Sequence, residues 1–298
     1  MLAADGWSLL AVDLRTGLRA DVPDGAWSAL ADVRDSDELT GLFQSFGPQV
    51  VVNTAAVSAE TARRDPRLAV DVNVLGAASV ARAAVQAEAG LLMLTSCAAV
   101  YGPELVSGPA EVVPPAPTDL HSGSKAAAES ISAAVARQGD VGHVAVRLPA
   151  LYGEGERIPG TLGWALWRAA RDAVTNRIAS VPTADPGGLE LLHVTDAGQA
   201  LALLARAAVD GTSCGATLPH VVNVGAGRIW TADELEAAAR EAFPDTQWVR
   251  QRWDEPGVRL ALDTSVLREL VGFAPTVDLS VALRRLAADG PALEAPTS

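Results

Sequence analysis

Short apolar runs alternate with longer alanine-rich runs along the first half of the chain. The apolar runs are continuous, as in VVV at 50–52 and LLML at 91–94. Strands of that kind are buried on both faces, which is typical of a parallel sheet covered by helices. The alternation of strands with helices therefore predicts a doubly wound α/β fold. The predicted strands are 8–13, 27–33, 49–56, 91–96 and 143–149, and the predicted helices are 36–46, 66–89 and 122–138.

The alternation of strands and helices becomes less regular after Tyr152, where glycine and proline turns over 154–190 enclose a single predicted helix. We therefore divide the chain into a core at 1–153 and a mixed segment at 154–298. The second segment is predicted to complete the sheet and to form a smaller C-terminal lobe.

Two further helices in this segment carry sequence signals at their starts. Thr195 or Asp196 is the predicted N-cap of the first, because threonine and aspartate side chains accept hydrogen bonds from exposed backbone N–H groups. Thr231 is followed three residues later by Glu234, which predicts a capping box at the second. Between these helices, VVNVGAG at 221–227 predicts a strand.

Composition narrows the classes of partner. The net charge of -13 argues against binding to nucleic acid or to an anionic membrane surface. The two cysteines, Cys97 and Cys214, make no disulfide framework, which favours a reduced cytoplasmic setting. The start of the chain lacks the basic region of a signal peptide, and no uninterrupted apolar run reaches the length of a membrane span. The four histidines are scattered without metal-ligand spacing, so no metal site is predicted.

Seven motifs follow one another along the chain: NTAAV (53–57), DVNVLGAASVARAA (71–84), LTSCAAVYG (94–102), the helix start around Lys125, RLPALYGEGE (147–156), HVTDAGQAL (193–201) and VVNVGAG (221–227). Their order and spacing resemble the extended short-chain dehydrogenase/reductases related to NAD-dependent epimerases and dehydratases. The resemblance covers nearly the whole chain. It implies a Rossmann-type sheet, a C-terminal substrate lobe, bound NAD(P)H and a small-molecule substrate.

The family's opening strand and its glycine-rich turn, G-x-x-G-x-x-G, are missing from the chain. In the family this turn lets backbone N–H groups and a helix N-terminus meet the cofactor pyrophosphate. Here Ala4, Asp5 and Gly6 predict the end of the following helix, with Gly6 as its closing residue. The missing strand would be central, and its absence leaves unpaired backbone groups in the sheet. We therefore expect a segment upstream of Met1 to supply it; a rearranged fold is the alternative.

Two other departures fall on the family's catalytic positions. The resemblance places His121 where the family has its proton-donating tyrosine, and Cys97 where it has a serine or threonine that positions the carbonyl. His121 is either a general acid or a residue that fills space or contacts the substrate. Cys97 is either a packing residue or a weak hydrogen-bond donor. Ser96, next to Cys97, is a further candidate for orienting the carbonyl.

Lys125 is the only lysine in the chain and falls on the family's lysine position. An ammonium group is a compact donor of three hydrogen bonds and suits two adjacent ribose hydroxyls, whereas a guanidinium group is a planar fork. The resemblance therefore implies that Lys125 binds the nicotinamide ribose. The alternative is a lysine on a solvated helix face.

The resemblance also implies a row of residues along the cofactor. Asp13 favours NAD, because an acid there takes the adenosine ribose hydroxyls, whereas Arg15 could reach a 2′-phosphate and favours NADP. The choice between NAD and NADP stays open. The implied cofactor-binding residues are Asp13, Leu14, Arg15, Asp32, Val33, Ala55, Ala56, Asn73, Thr95, Lys125, Leu148 and Pro149.

Three functions stay open. The first is an NAD(P)H-dependent ketoreductase of secondary metabolism that acts on a small, polyketide-type substrate. Loss of the tyrosine resembles an angucyclinone polyketide ketoreductase, in which the substrate's own phenol supplies the proton. The second function is that of a nucleotide-sugar epimerase, dehydratase or reductase, and the third is non-catalytic binding. The helices at 67–89 and 122–138 are rich in small residues and resemble a dimer interface of relatives, so we expect a homodimer.

Overall fold

The computed structural model contains two compact units, each drawn from several segments of the chain. Unit 1 draws on Met1–Ser96, Leu120–Val146 and Leu201–Val222, and unit 2 on Cys97–Asp119, Arg147–Ala200 and Asn223–Ser298. The predicted division into 1–153 and 154–298 stays a prediction. The residues that the structure describes are 2–14, 22–103, 108–155, 158–184, 187–211, 218–253 and 261–288.

Strands and helices alternate along the chain, as predicted for an α/β fold. The strands are β1 (Leu10–Asp13), β2 (Trp27–Leu30), β3 (Val50–Asn53), β4 (Leu91–Cys97), β5 (Gly142–Leu148), β6 (Ala150–Tyr152), β7 (Ile178–Thr183), β8 (Leu191–His193), β9 (Val221–Asn223) and β10 (Gln247–Arg252). The helices are α1 (Ser36–Phe46), α2 (Ala59–Arg64), α3 (Pro66–Gln86), α4 (Leu120–Gln138), α5 (Leu162–Thr175), α6 (Val194–Asp210), α7 (Ala232–Ala242), α8 (Ser265–Val271) and α9 (Leu279–Ala288).

The strands lie in separate sheets. β1 pairs in parallel with β2, while β3, β4, β5 and β9 form a second sheet in that order. β6 pairs in parallel with β8, and β7 with β10. No strand within the described ranges joins β1 to β3. Gly6 closes the short turn Ala3–Asp5 with a left-handed φ of 81°, as predicted.

Several predicted elements end earlier in the structure: β2 ends at Leu30 rather than at residue 33, and three others end as follows. β3 stops at Asn53, whose side-chain Oδ1 accepts a hydrogen bond from Ala55 N–H at 3.1 Å. α3 stops at Gln86, and Glu88 beyond it has a positive φ of 55°. The strand predicted at 221–227 ends at residue 223, because the chain then turns through Gly227 at a φ of 65°.

Helix capping agrees with the prediction at one site and not at another. Thr231 and Glu234 form the predicted capping box at the start of α7. The prediction that Thr195 or Asp196 caps α6 is wrong, because α6 begins at Val194 and both residues lie inside its first turn. β8 runs directly into α6, so no loop residue separates strand from helix. Asp196 instead accepts hydrogen bonds from the backbone N–H groups of Thr276 and Val277.

α3 contains a π-helical segment, Val70–Gly76, within its α-helical turns. By length and composition alone, α3 is apolar enough to cross a membrane. The same property is found in core helices, and α3 contributes Val80, Ala81 and Ala84 to the core of unit 1. Other buried members of that core come from α1 and β4, such as Phe43 and Leu92.

Unit 2 has its own hydrophobic core, which combines residues from α5, α7, β10 and α9. Leu166, Leu235 and Leu283 are each at most 2% exposed, and Trp248 packs with them. Burial of such side chains stabilises a fold by about 1.5–3 kcal/mol each. Each unit therefore has a separate core of ordinary composition.

Candidate functional site

Asn73 joins three segments of unit 1. Its side chain is 1% exposed and lies in the π-helical part of α3. Asn73 Oδ1 accepts a hydrogen bond from Val57 N–H at 2.9 Å, and Nδ2 donates to Ser124 Oγ at 2.8 Å. The Ser124 hydroxyl donates in turn to the His121 carbonyl at 2.7 Å. The amide therefore holds the loop after β3 against the first turn of α4. π-helical bulges occur frequently at functional sites.

Lys125 follows His121 by four residues on α4, so the two side chains share one helix face. Lys125 is only 3% exposed, and the adjacent Ser124 is 4% exposed. The alternative of a lysine on a solvated helix face is therefore wrong. A buried ammonium group costs free energy unless polar groups surround it. Lys125 therefore needs polar neighbours or a polar ligand at this position. His121 is half-buried.

The end of β4 brings a buried hydroxyl to unit 1. Thr95 Oγ1 donates to the Asn53 carbonyl at 3.2 Å, which ties the end of β4 to the end of β3. Ser96 is 5% exposed, and its Oγ has no hydrogen-bond partner among the residues that the structure describes. A buried hydroxyl without a partner costs about 1–3 kcal/mol, so Ser96 is suited to bind a ligand. Cys97, the next residue, is half-buried.

The predicted adenosine-side residues follow β1 and β2. Asp13 ends β1 and pairs in register with Leu30 of β2. Leu14 is 61% exposed, and Asp32 and Val33 come two and three residues after β2 ends. Arg15 lies outside the described residues, so the structure adds nothing to the choice between NAD and NADP.

Asp32 is held by a residue that the sequence reasoning missed, Arg34. The Arg34 backbone N–H donates to Asp32 Oδ1 at 2.8 Å, and its Nε and Nη2 donate to Oδ2 at 2.8 and 2.5 Å. These contacts hold the pKa of Asp32 below its usual value, the side-chain hydrogen bond from Arg34 being the largest cause. The signal was present in the sequence as the local pattern D-V-R-D at 32–35.

The remaining predicted cofactor residues lie at strand ends. Ala55 is half-buried and Ala56 exposed, just after β3. In unit 2, Leu148 ends β5 and is 7% exposed, and Pro149 follows it half-buried. Carboxyl ends of strands are where α/β proteins bind ligands. The roles of these four residues stay predictions.

Both tyrosines of the chain are buried in unit 2. Tyr101 is 1% exposed, and its hydroxyl donates to Asn223 Oδ1 at 2.7 Å. Tyr152 is 3% exposed and lies edge-on to the His193 ring, with 5.1 Å between ring centroids. Burial raises the pKa of both phenols above the ordinary value. A raised pKa makes each a weaker acid, so neither is poised for proton transfer near neutral pH.

The residue types that the resemblance implies have donors and acceptors suited to a nicotinamide dinucleotide. Lys125 and Ser96 supply a buried ammonium and a buried hydroxyl, and Asp13 and Asp32 supply carboxylates, which accept hydrogen bonds from hydroxyl or amino groups. A glycine-rich cradle for the pyrophosphate was not found in the part of the chain that the structure describes.

The turn at 225–227 between β9 and α7 does not provide that cradle. Gly227 N–H donates to Glu190 Oε1 at 2.9 Å, and Leu262 N–H donates to Oε2 at 2.8 Å. An internal carboxylate therefore occupies the place where an anion would bind. Burial is the main cause that raises the pKa of Glu190 to about 7.

Comparison with known proteins agrees with the order of strands, helices and motifs. The sequence model of the NAD dependent epimerase/dehydratase family matches residues 1–225. The chain belongs to this family. No curated protein is similar enough to the chain to count as a match.

Solved structures of similar fold include members of several activities. UDP-glucose 4-epimerase of Thermus thermophilus, complexed with NAD, has a TM-score of 0.79 and 24% identity, over 96% of this chain and 92% of that one. WbmG of Bordetella bronchiseptica, complexed with NAD and UDP, has a TM-score of 0.73 and 23% identity, over 96% and 88%. A monomeric L-threonine 3-dehydrogenase from a metagenome has a TM-score of 0.77 and 18% identity, over 94% and 89%. At these identities the likeness establishes the fold alone.

The structure thus brings together only part of the predicted site. Asn73, Ser124 and His121 are linked by hydrogen bonds, and Thr95 is linked to the end of β3. Within the described ranges, three or more His, Cys, Asp or Glu side chains nowhere gather in a metal-binding arrangement. The roles of Lys125, His121, Ser96 and Cys97 stay predictions.

Proposed function

We propose that this family member is an NAD(P)H-dependent ketoreductase that reduces a carbonyl of a small organic substrate, in a tailoring step of polyketide type. One observation carries the proposal: the Ser96 hydroxyl is buried without a partner among the described residues, in the same unit as the buried Lys125 ammonium. A hydroxyl so placed suits a carbonyl oxygen, and an ammonium suits ribose hydroxyls.

Each side chain then has one task. When bound, NAD(P)H supplies the hydride. Lys125 binds the nicotinamide ribose, and Ser96 donates a hydrogen bond that orients the carbonyl oxygen and stabilises the charge that develops on it. The hydrogen bond between Asn73 and Ser124 fixes the start of α4, the helix that carries Lys125. The proton comes from a hydroxyl of the substrate itself or from a water molecule at Ser96.

The proton donor distinguishes this proposal from epimerase chemistry. An epimerase passes hydride out and back and depends on a group that takes and returns a proton. The two phenols of the chain are buried in unit 2 with raised pKa values. His121 is half-buried on α4. Reduction with a proton from the substrate needs none of these groups.

Substitution of His121 by phenylalanine tests the proposal. His121→Phe keeps an aromatic ring of similar size and removes the titrating group. Turnover of a carbonyl substrate, identified by screening with NADH or NADPH, is expected to stay within about tenfold of the original. The pH–rate profile of the variant is expected to show no limb near the usual histidine pKa of about 6.5. If His121 is the acid, turnover falls by about 10²–10⁴, and that result contradicts substrate assistance. Absence of cofactor binding by the folded chain favours non-catalytic binding instead.

A nucleotide-sugar enzyme is the second candidate. It is favoured by the likeness to structures of a UDP-glucose 4-epimerase and of WbmG bound to UDP. Calorimetric titration with UDP-glucose discriminates the two candidates. Micromolar binding favours nucleotide-sugar chemistry, and lack of binding beside measurable carbonyl reduction favours the ketoreductase.

We also propose that the protein forms a homodimer through α3 and α4. Val70 and Leu75 on α3 are 41% and 55% exposed, and Ile131 on α4 is 37% exposed. Exposed apolar residues on neighbouring helices favour association. Light scattering at micromolar concentration is expected to give twice the monomer mass, whereas the monomer mass contradicts the proposal. A cytoplasmic setting stays a prediction from cysteine usage.

A further inference from the structure

A cavity of about 310 Å³ lies in unit 2, between the turn after β9 and the segment around α8. Ligand pockets have volumes of about 300–1,000 Å³, so this cavity suits a small molecule. Its lining contains none of the residues predicted for the cofactor or for catalysis. The lining residues that decide its chemistry are Gly227, Leu262, Asp263, Arg268 and Phe273.

The walls of the cavity are fixed by buried polar side chains. Glu190 is 4% exposed, and its Oε1 and Oε2 accept hydrogen bonds from the backbone N–H groups of Gly227 and Leu262 at 2.9 and 2.8 Å. Asn223 is fully buried, and its Nδ2 donates to the Asp263 carbonyl at 3.1 Å. These bonds tie the turn after β9 to the segment that leads into α8. The cavity is therefore preformed, which lowers the cost of ordering the site when a ligand binds.

The floor of the cavity is apolar. Phe273 and Leu262 are 5% and 2% exposed, and both line the cavity. Ala274 and Pro275 continue the apolar lining toward solvent. An apolar group that enters the cavity removes this surface from water, which is favourable roughly in proportion to the area covered. The floor therefore favours a ligand with an apolar part.

Two opposite charges line the cavity without pairing with each other. The exposed Arg268 guanidinium has no hydrogen bond or ion pair among the residues that the structure describes. Asp263 Oδ1 accepts a hydrogen bond from Ser265 N–H at 2.9 Å. That hydrogen bond is the largest cause that holds the pKa of Asp263 below its usual value, and attraction to Arg268 contributes. The carboxylate is therefore ionised at neutral pH, and a ligand that carries both charges can bridge Asp263 and Arg268.

We propose that this cavity binds a free amino acid with an apolar side chain: Arg268 binds its α-carboxylate, Asp263 binds its ammonium group, and Phe273 contacts its side chain. The planar fork of a guanidinium matches the two oxygens of a carboxylate. An ionised carboxylate has about four acceptor positions, so Asp263 keeps capacity for an ammonium group beside its bond from Ser265. A ligand with one charge leaves the other protein charge unmatched. The site is separate from the proposed carbonyl reduction and does not depend on it.

Saturation-transfer NMR titrations of the full chain with L-leucine and two analogues test this proposal. Leucine is expected to bind with a dissociation constant on the order of 0.1–1 mM, as suits a ligand of so few atoms. The analogue 4-methylpentanoate lacks the ammonium group, and leucinamide carries a neutral amide in place of the carboxylate. Each analogue is expected to bind about tenfold more weakly, from the loss of a hydrogen bond to a charged group. These comparisons use the original chain and need no variant to fold.

Two substitutions assign the contacts. Arg268→Gln is expected to weaken leucine binding by about tenfold and to remove the preference over leucinamide. Asp263→Asn keeps an acceptor for Ser265 N–H and is expected to weaken leucine binding by about tenfold and to remove the preference over 4-methylpentanoate. Arg285→Gln removes an exposed arginine of α9 that does not line the cavity. This matched control should leave leucine binding unchanged, and circular dichroism verifies that each variant is folded.

Four results overturn the proposal. They are no leucine binding by the original chain at about 10 mM, an analogue that binds as tightly as leucine, a folded Arg268→Gln or Asp263→Asn variant that keeps the original affinity, or an equal loss of affinity in Arg285→Gln. None of these measurements requires a cofactor or turnover. Failure of the ketoreductase proposal is therefore seen separately, as absent carbonyl reduction in a chain that still binds leucine.

Discussion

The β1–β2 pair and the β3–β4 pair are both parallel and both belong to unit 1, but they differ in burial. On β2, Trp27 is 60% and Leu30 is 52% exposed, whereas on β4 both Leu92 and Leu94 are 1% exposed. The β4 run is continuously apolar and covered on both faces. Within the described ranges, the β1–β2 pair lacks a strand beside it that would join it to β3.

This difference separates the two ends of the candidate cofactor site. Residues predicted for adenosine follow the exposed pair, and Ser96 lies near the end of the buried one. Segments with few buried contacts open locally at a lower free energy than core strands. We therefore expect the nicotinamide end to be the stable part of the site and the adenosine end to be stabilised further by a ligand.

Truncating one leucine in each strand pair tests the difference in burial most directly. Leu94→Ala leaves a cavity against Ala77 and Ala128 and is expected to lower the free energy of unfolding by about 2–5 kcal/mol. Leu30→Ala removes a half-exposed side chain and is expected to cost less than about 1 kcal/mol. Urea denaturation measures both. Equal losses would show that the two pairs contribute alike.

A buried histidine beside the β4 strand is expected to make the free energy of unfolding sensitive to acid. His143 on β5 is 7% exposed, Ser132 Oγ lies 2.9 Å from its Nε2, and burial is the main cause that lowers its pKa from 6.5 to about 4. The folded state keeps this histidine neutral while the unfolded state binds a proton. Stability is therefore full above pH 6.5 and falls as the pH drops toward 4, by about 3 kcal/mol.

Substitution of the buried histidine tests this acid sensitivity. His143→Phe is expected to lose most of the difference in unfolding free energy between pH 7 and pH 4, about 3 kcal/mol. Chemical denaturation at several pH values measures the slope. An unchanged slope in His143→Phe would assign the acid sensitivity to other groups.

A pair of glycine substitutions tests how closely α3 packs beside the end of β2. A Cβ at Gly76 would lie 2.7 Å from Val33 Cγ2 and 3.2 Å from Val33 Cβ. Gly76→Ala is therefore expected to destabilise the fold by about 1–3 kcal/mol. Gly123→Ala on α4 meets no atom within 4 Å and should be neutral or stabilising by up to about 1 kcal/mol. Thermal denaturation compares them, and equal shifts would contradict close packing at Val33.

Local patterns predicted the elements of the fold well where packing follows the pattern. The continuous apolar run at 91–94 predicts a buried strand, and β4 is such a strand. Thr231 and Glu234 predict a capping box because both partners lie within one turn. The start of α6 was mispredicted, because β8 and α6 are contiguous and the position before the helix is His193, whose Nδ1 accepts a hydrogen bond from Thr195 N–H at 3.2 Å.

The candidate site was predictable only in part. Its positions came from the order of motifs, but the hydrogen bond between Asn73 and Ser124 joins residues 51 apart in sequence. No periodicity or composition reports such a pair. The π-helical segment around Asn73 escaped prediction because it keeps the helical pattern of apolar residues. The hydrogen bonds from Arg34 to Asp32 are local, and the pattern D-V-R-D allows them, but the same pattern is equally compatible with two solvated side chains.

Lys125 carries the central claim, that the buried end of the site binds the nicotinamide ribose. Lys125→Met keeps an unbranched side chain as long as the aliphatic part of lysine and removes the ammonium. The decisive measurement is the affinity of this variant for NADH and NADPH by calorimetry. The account predicts a folded protein whose cofactor dissociation constant rises by about ten- to a hundredfold, from loss of hydrogen bonds to a charged group. A folded Lys125→Met variant that binds the cofactor as tightly as the original chain would contradict it.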